Sequence, residues 1–206
     1  MRSGKARTAA ALDPHYVNAF AEIVRRIERS LRGNVAAHML PIAMYVAGGA
    51  AEFFYTGARV SEDIDAAFSR RILLPDDLEV SYAGGDGLPR ILYFDRQYNE
   101  TFALMHENTH ADSARLRLTG VDAGVVDVRL FAPVDLAVSK IARFAEHDQT
   151  DIRALARAGL VGSAALRRRA NEALGGYVGN LDRVKTSIEL ACGIVAEEEG
   201  RRTGRK

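Results

Sequence analysis

The sequence predicts an α+β fold: a small mixed β-sheet core with helices, followed by a helical C-terminal region. Three observations lead there. An amphipathic helix opens the chain, short apolar runs broken by glycine turns fill its middle, and apolar residues at helical spacing fill its last third. A chain of 206 residues suits one domain with a helical appendage and can bury most of its apolar surface without staples. The division is expected near residue 132: an α/β core with its N-terminal helix over 1–132, and a helical region with a basic tail over 133–206.

In chain order, Asp13-Pro14 reads as an N-cap with proline in the first turn. Val17, Phe20, Ala21, Val24, Ile27 and Leu31 then recur at helical spacing until Gly33-Asn34. Ile42 to Val46 is a short buried strand, Ala47-Gly48-Gly49 a tight turn, Ala50 to Tyr55 a helix stopped by Gly57, and Ile64 to Phe68 the next strand, entered through Ser61-Glu62-Asp63. Leu73 to Val80 and Ile91 to Phe94 flank a Gly84-to-Gly87 turn and fit strand or helix. Ala114 to Leu118 and Val125 to Leu130 read as a β-hairpin around Gly120 to Gly124. Pro133 opens a helix with Leu136, Ala137, Lys140, Ile141 and Phe144 at helical spacing. Further helices are expected over Asp148 to Ala158, Ser163 to Leu174 and Leu181 to Glu199, with a disordered tail after Gly200.

Composition excludes several classes. With 48% hydrophobic and 27% charged residues the chain is an ordinary soluble globular protein. One cysteine, Cys192, permits no internal disulfide and fits a reducing compartment; on its helix it reads as a small buried hydrophobe. The long apolar run from Met39 to Ala58 holds Pro41, the Gly48-Gly49 pair and Glu52, so it does not read as a membrane span. The basic start lacks an apolar core and is not a secretory signal. A cytoplasmic protein with no membrane partner is expected. A net charge of +1 gives no global attraction for nucleic acid. The local clusters Arg2, Lys5 and Arg7, then Arg167-Arg168-Arg169, then Arg201, Arg202, Arg205 and Lys206 read as solvated tails and a solvated helix face, or as a patch for RNA.

The chemistry concentrates at Gly48-Gly49-Ala50 and Asp63-Ile64-Asp65, with 12 residues between Ala50 and Asp63. Strand residues i and i+2 point to the same side, so the two aspartates sit side by side. Two neighbouring carboxylates repel unless a cation lies between them, and Mg²⁺ (or Mn²⁺) is bound through one or two carboxylates plus substrate phosphates. A glycine turn at a helix N-terminus favours an anion. Together these features read as a triphosphate site.

The stretch Val46-Ala47-Gly48-Gly49-Ala50 with Ser61-Glu62-Asp63-Ile64-Asp65 resembles the signature of the polymerase-β-like nucleotidyltransferase superfamily. Pro133 to Lys140 and Asp148-Gln149-Thr150-Asp151-Ile152 look like later motifs of its AbiEii/MenT-like toxin branch, a lysine-bearing helix and then Asp-x-x-Asp. The resemblance covers roughly residues 40 to 155. It implies Asp63 and Asp65 as metal ligands, Gly48, Gly49 and Ser61 at the nucleotide, Lys140 as a phosphate contact, and Asp151 with Asp148 as further acidic site residues. It further implies transfer of a nucleoside monophosphate from an NTP to a hydroxyl, with the tRNA 3′ end or another RNA as acceptor and a neutralising antitoxin as partner. Two departures stand out. Ala50 replaces a frequent Ser or Thr of the turn, and the third carboxylate is not obvious. Asp127, a charge within an apolar strand, is the candidate, with Asp122 as a turn-like alternative.

Two rivals remain. His106-Glu107-Asn108-Thr109-His110 spells H-E-x-x-H, which on a helix would bind zinc and make a metallopeptidase. Asn and Thr are poor helix-interior residues, and no extended zincin pattern follows. Without a third carboxylate, the chain could also be a non-catalytic nucleotide- or partner-binding protein of the same fold.

Overall fold

The computed structural model describes residues 12–204, so Arg2, Lys5, Arg7, Arg205 and Lys206 lie outside the described residues. The chain forms two compact units. One holds residues 12–98 and Ser113–Leu130; the other holds Asn99–Asp112 and residues 131–204. The segment Asn99–Asp112, which the linear reading places in the core, packs with the helices. Among the described residues, no helix is long and apolar enough to cross a membrane.

In the α/β unit, helix α1 (Pro14–Asn34) starts where the Asp13 side chain accepts the His15 N–H at 2.9 Å. Its buried face is Tyr16, Ala19, Phe20, Ile23, Val24, Ile27 and Leu31. The stripe begins at Tyr16 rather than Val17, which is only half-buried. Residues 16, 20, 23/24, 27 and 31 follow the helical period more closely. Strand β1 (Ile42–Val46) leads into α2 (Gly48–Thr56), which ends on left-handed Gly57, whose N–H donates to Phe53 O at 2.8 Å. The expected strand after it is divided. Strand β2 (Asp63–Ile64) and β3 (Ala66–Phe68) are consecutive but join different sheets, with Asp65 between them.

Strands β4 (Glu79–Ala83) and β5 (Pro89–Phe94) form an antiparallel hairpin. Ile91 to Phe94 is thus strand, whereas of the run Leu73 to Val80 only Glu79 and Val80 are, the stretch Leu73 to Leu78 being irregular. Strands β6 (Ala114–Arg115) and β7 (Val126–Leu130) also pair antiparallel. One sheet runs β3-β1-β7-β6, with β1 parallel to β7 and antiparallel to β3; the other runs β2-β5-β4, with β2 parallel to β5. Helices α1 and α2 meet through aromatic rings: Tyr16 on Phe53 at 4.3 Å and Phe20 edge-on to Phe54 at 5.0 Å. Such pairs add about 0.5–1.5 kcal/mol each beyond area burial.

The helical unit comprises α3 (Pro133–Ser139), α4 (Glu146–Arg157), α5 (Ser163–Ala173) and α6 (Leu181–Thr203). Helix α3 stops at Lys140 because the chain turns there, and Phe144 takes a left-handed φ of 51°. The helical spacing of Ile141 and Phe144 therefore does not continue one helix. Helix α6 runs past Gly200 to Thr203, where a disordered tail was expected.

Buried charges hold this unit together. The Arg169 fork grips the Asp135 carboxylate of α3 at 2.7 and 2.8 Å and also reaches Asp112 at 2.7 Å, while the Thr109 hydroxyl lies 3.3 Å from Asp135. These bonds explain why Asn99–Asp112 belongs with the helices. Glu198, buried on α6, takes Arg153, Arg157 and Arg201 at 2.8 to 3.1 Å and clasps α4.

Lys140 is 7% exposed and its ammonium lies 2.5 Å from the Asp151 carboxylate, itself 1% exposed. It is thus not the solvent-reaching lysine expected of a helix surface. Removing the ammonium takes a cation from a buried carboxylate, a loss of up to about 3–5 kcal/mol, so Lys140→Ala should lower unfolding free energy by more than about 1 kcal/mol in urea titrations. A loss under 1 kcal/mol would contradict the burial argument.

Asp148 tests the same electrostatics by pH. Burial pushes its carboxyl up, but the Arg143 fork at 2.8 Å and the Ala145 N–H at 2.9 Å outweigh this and hold it below the ordinary 3.8. A carboxyl with a folded-state pKa below its unfolded value stabilises fully above the unfolded value and loses that contribution as pH falls through the folded one. Stability should therefore drop as pH falls below about 4, and Arg143→Ala should flatten part of that limb. Identical acid limbs for the two proteins would assign the loss to other carboxylates.

Candidate active site

The site of the α/β unit is built by the return of the chain after α2. The Ala47 N–H donates to Asp65 O at 2.9 Å, extending the β1–β3 ladder by one step. This places the Asp65 side chain over Gly48. A Cβ added to Gly48, whose φ is +58°, would lie 2.0 Å from Asp65 Oδ2. Only glycine fits, by conformation and by space. A Cβ at Gly49 would meet Ser61 Oγ at 2.7 Å and the Arg59 guanidinium at 3.1 Å. Ser61 is buried, and its hydroxyl donates to Asp63 Oδ1 at 2.5 Å. Gly48 thus meets Asp65, and Gly49 meets Ser61 and through it Asp63, with both carboxylates half-buried. Ala50 is fully buried, so its side chain faces the core and a hydroxyl there would not reach the turn's outer side.

Three neighbours escaped the sequence reading. Arg59 sits against Gly49; its proximity to Ser61 in the chain was the available signal. Tyr93 pairs with Asp63 across β2 and β5 and is exposed; the Asp63 charge is the first cause raising its phenol pKa, followed by burial. Asp95 follows β5, and its N–H donates to Ile64 O at 3.1 Å, which sets it beside Asp65; its Oδ1 accepts the Gln97 N–H at 2.7 Å. No local pattern announces Asp95, because its place depends on the parallel pairing of two strands remote in sequence.

Asp127 does not join the pair. It lies opposite Ala43 on β1, whereas Asp65 is bonded to Ala47. Four strand residues correspond to about 13 Å along the strand, and β1 lies between. Asp127 is instead held by Arg115 at 2.8 Å and Arg129 at 2.8 Å, which is the reason a charge is tolerated in that apolar strand. Asp122 is structural too, accepting the Gly124 N–H at 2.8 Å and pairing with Arg32 at 2.6 Å. Among the described residues no three His, Cys, Asp or Glu side chains gather around one point. The donor set at Asp63 and Asp65 is a carboxylate pair, which fits a hard divalent cation that completes its shell with phosphate and water.

In the helical unit, Lys140 and Asp151 form the buried pair described above, and Asp148 receives Arg143 and the Ala145 N–H at the start of α4. Of the triple arginine, Arg167 pairs with Glu189 and Arg169 with Asp135 and Asp112, so two of its three charges are already compensated. The H-E-x-x-H segment is not a helix; it is a series of turns in which the Thr109 N–H donates to His106 O. His106 Nδ1 accepts the Asn108 N–H at 3.1 Å and its Nε2 faces Glu172 at 3.4 Å, while His110 Nε2 meets Glu100 at 3.0 Å. The two imidazoles therefore do not present a shared zinc-binding face, and the peptidase reading falls.

Substitution of Gly48 tests the approach of Asp65. Gly48→Ala should cost about 1–3 kcal/mol for a left-handed non-glycine residue, plus the collision with Asp65. In an Asp65→Ala background the collision disappears, so the same substitution should cost less, with a coupling of about 0.5–3 kcal/mol in a denaturant double-mutant cycle. Equal costs in both backgrounds would show that Asp65 does not press on the turn.

Comparison with curated proteins and with solved structures returned no match. The family model described as a nucleotidyltransferase of unknown function (DUF6036) matches residues 24–186, well over half of the chain, and spans Gly48, Gly49, Ser61, Asp63 and Asp65 as well as Lys140, Asp148 and Asp151. On that match the chain belongs to the DUF6036 family of nucleotidyltransferases.

Proposed function

We propose that the chain transfers a nucleoside monophosphate from an NTP to a hydroxyl acceptor and releases pyrophosphate, with Gly48, Gly49, Ser61, Asp63 and Asp65 as the reaction centre. The observation that carries this reading is the seating of the Asp65 carboxylate on Gly48, which joins an acidic pair to the first turn of a helix. In the reaction the acceptor oxygen bonds to the α-phosphorus as the bond from that phosphorus to the pyrophosphate oxygen breaks. The hydroxyl proton passes to a nearby base. Mg²⁺ or Mn²⁺ held by Asp63 and Asp65 would offset the triphosphate charge and stabilise the attacking and leaving oxygens.

The chain's own residues do the rest. Ser61 orients Asp63 through its 2.5 Å hydrogen bond. Arg59, against Gly49, adds positive charge where a phosphate would lie. Asp95, set beside Asp65 by the strand register, replaces Asp127 as the candidate base. Lys140 keeps its assignment as a phosphate contact, with Asp148 and Asp151 as further acidic residues, on motif order alone; to serve a phosphate Lys140 must share its charge with Asp151. The finer reading is a cytoplasmic toxin that modifies the tRNA 3′ end and is neutralised by an antitoxin. It is supported by the resemblance to the AbiEii/MenT-like branch; the family match supports nucleotidyl transfer in general.

The deciding experiment incubates the protein with each α-labelled NTP, Mg²⁺ and total RNA or protein. Label should enter RNA 3′ ends with one preferred NTP. Asp63→Asn and Asp65→Asn should each lower the rate by on the order of 100-fold or more while remaining folded by circular dichroism. Label in protein would reassign the acceptor, and no label in any pool from any NTP would overturn the transfer reading.

A further inference from the structure

The sheet β2-β5-β4 has one covered face and one open face. On β5, Leu92 and Phe94 are buried, and on β4 the Tyr82 ring meets Tyr16 of α1 at 6.2 Å. The alternate residues face outward. Tyr93 is 42% and Ile91 48% exposed, and Pro89, Glu79, Ser81 and Ala83 are exposed beside them. A sheet with one solvated face ordinarily carries polar residues there. Two large apolar side chains in succession on that side of β5 break the pattern, and a ligand that covers them restores it.

Strand register joins this face to the candidate centre. Asp63 and Tyr93 are direct partners in the parallel pairing of β2 and β5, and the Tyr93 N–H donates to Glu62 O at 2.9 Å. Neighbouring strands lie about 4.8 Å apart and partnered residues point to the same face, so the Tyr93 ring stands beside the Asp63 carboxylate. The segment from Ser61 to Asp65 has the glycine turn on one flank, through Ala47 on Asp65 and Gly49 against Ser61, and β5 on the other. In phosphoryl transfer the attacking and leaving oxygens are roughly in line. A triphosphate whose leaving end lies along Gly48, Gly49 and Arg59 is therefore attacked from the β5 flank, where the chain also leads from Tyr93 to the candidate base Asp95. The side chains flanking the ring in its row, Asp63 and Glu79, are both acidic. They repel a phosphate and leave the ring to an uncharged base, which stacks on an aromatic face whatever its identity.

We propose that the open face of β5 is the acceptor subsite: Tyr93 stacks the terminal nucleobase of a single-stranded RNA acceptor, Ile91 extends the apolar surface under it, and the terminal hydroxyl is thereby set at the Asp63–Asp65 centre. This rests on the nucleotidyl-transfer reading of the same carboxylates.

The chain has no tryptophan, so Tyr93→Trp puts a single indole reporter on this face. A triribonucleotide with a free 3′ hydroxyl should quench that indole in a saturable titration, and should still do so with Mn²⁺ and an α,β-methylene NTP analogue bound. By calorimetry, Tyr93→Ala should bind the triribonucleotide about 5- to 150-fold more weakly than the wild type, the loss expected for one stacked base. Tyr93→Phe should bind it as the wild type does, and all three variants should unfold close to the wild-type temperature, because the ring is exposed. Unchanged triribonucleotide affinity in Tyr93→Ala would overturn the proposal. So would a loss of analogue affinity alone, which would give the ring to the incoming nucleotide, or a Tyr93-dependent transfer of label to protein, which would give the face to a protein acceptor. If the wild type does not bind the analogue in Mn²⁺, the transfer reading itself fails, and this proposal with it. Analogue binding beside a triribonucleotide that ignores Tyr93 overturns the acceptor subsite alone.

Discussion

The carboxylate of Asp65 rests on the Cα of Gly48, and much of the α/β unit is arranged around that contact. The antiparallel pairing of β3 on β1 continues through the Ala47–Asp65 hydrogen bond, so the returning strand meets the glycine turn rather than passing it. Any side chain at Gly48 would occupy the space of Asp65 Oδ2. The absence of a Cβ there lets a negative side chain approach the first turn of α2, where the helix dipole favours anions. From the same turn, α2 carries Phe53 and Phe54 into the aromatic cluster with Tyr16 and Phe20, which seats α1. One backbone constraint thus links the site to the core behind it.

Buried carboxylates are met by cations in both units, and in the α/β unit Asp127 takes Arg115 and Arg129. In the helical unit each is met by a cation: Asp135 by Arg169, Asp148 by Arg143, Asp151 by Lys140, Glu198 by three arginines. Such pairs define which helix meets which more than they add net stability, because desolvation offsets much of the attraction. In the α/β unit the half-buried Asp63 accepts a hydrogen bond from the neutral Ser61 hydroxyl, which orients it. A carboxylate oriented in that way beside a second one is suited to a cation brought with the substrate.

Membership in a nucleotidyltransferase family and this arrangement support each other without repeating one observation. The family match is a statement about the pattern of residues 24–186. The geometry gives residues within that span a physical reason: glycine at the Asp65 contact, serine at the Asp63 hydrogen bond, arginine against Gly49. Strand register sets the backbone of Asp95 next to that of Ile64, and sets Asp127 opposite Ala43, away from the pair.

Much of this was legible from the residues alone. The N-cap at Asp13, the strand–turn–helix through Gly48-Gly49, the β-hairpin ending in β7 and the helical last third are short-range features, written in periodicity and in turn-forming residues. The expectation that Asp63 and Asp65 share a strand face was a local one, but the strand is interrupted at Asp65, and each aspartate is placed by its own contact, Asp63 by Ser61 and Asp65 by Gly48. The hairpin around Gly84 to Gly87 stayed open because its short apolar runs fit either period. The tertiary structure decided what depends on partners distant in sequence. It broke the expected Ile64-to-Phe68 strand at Asp65 and divided it between two sheets, moved Asn99–Asp112 to the helical unit through Arg169, buried Lys140 against Asp151, and left the Tyr16 hydroxyl without a hydrogen-bond partner among the described residues. The physical reason is the same in each case: periodicity tells a residue which way to face, but only strand register and the packing of remote elements determine what it faces.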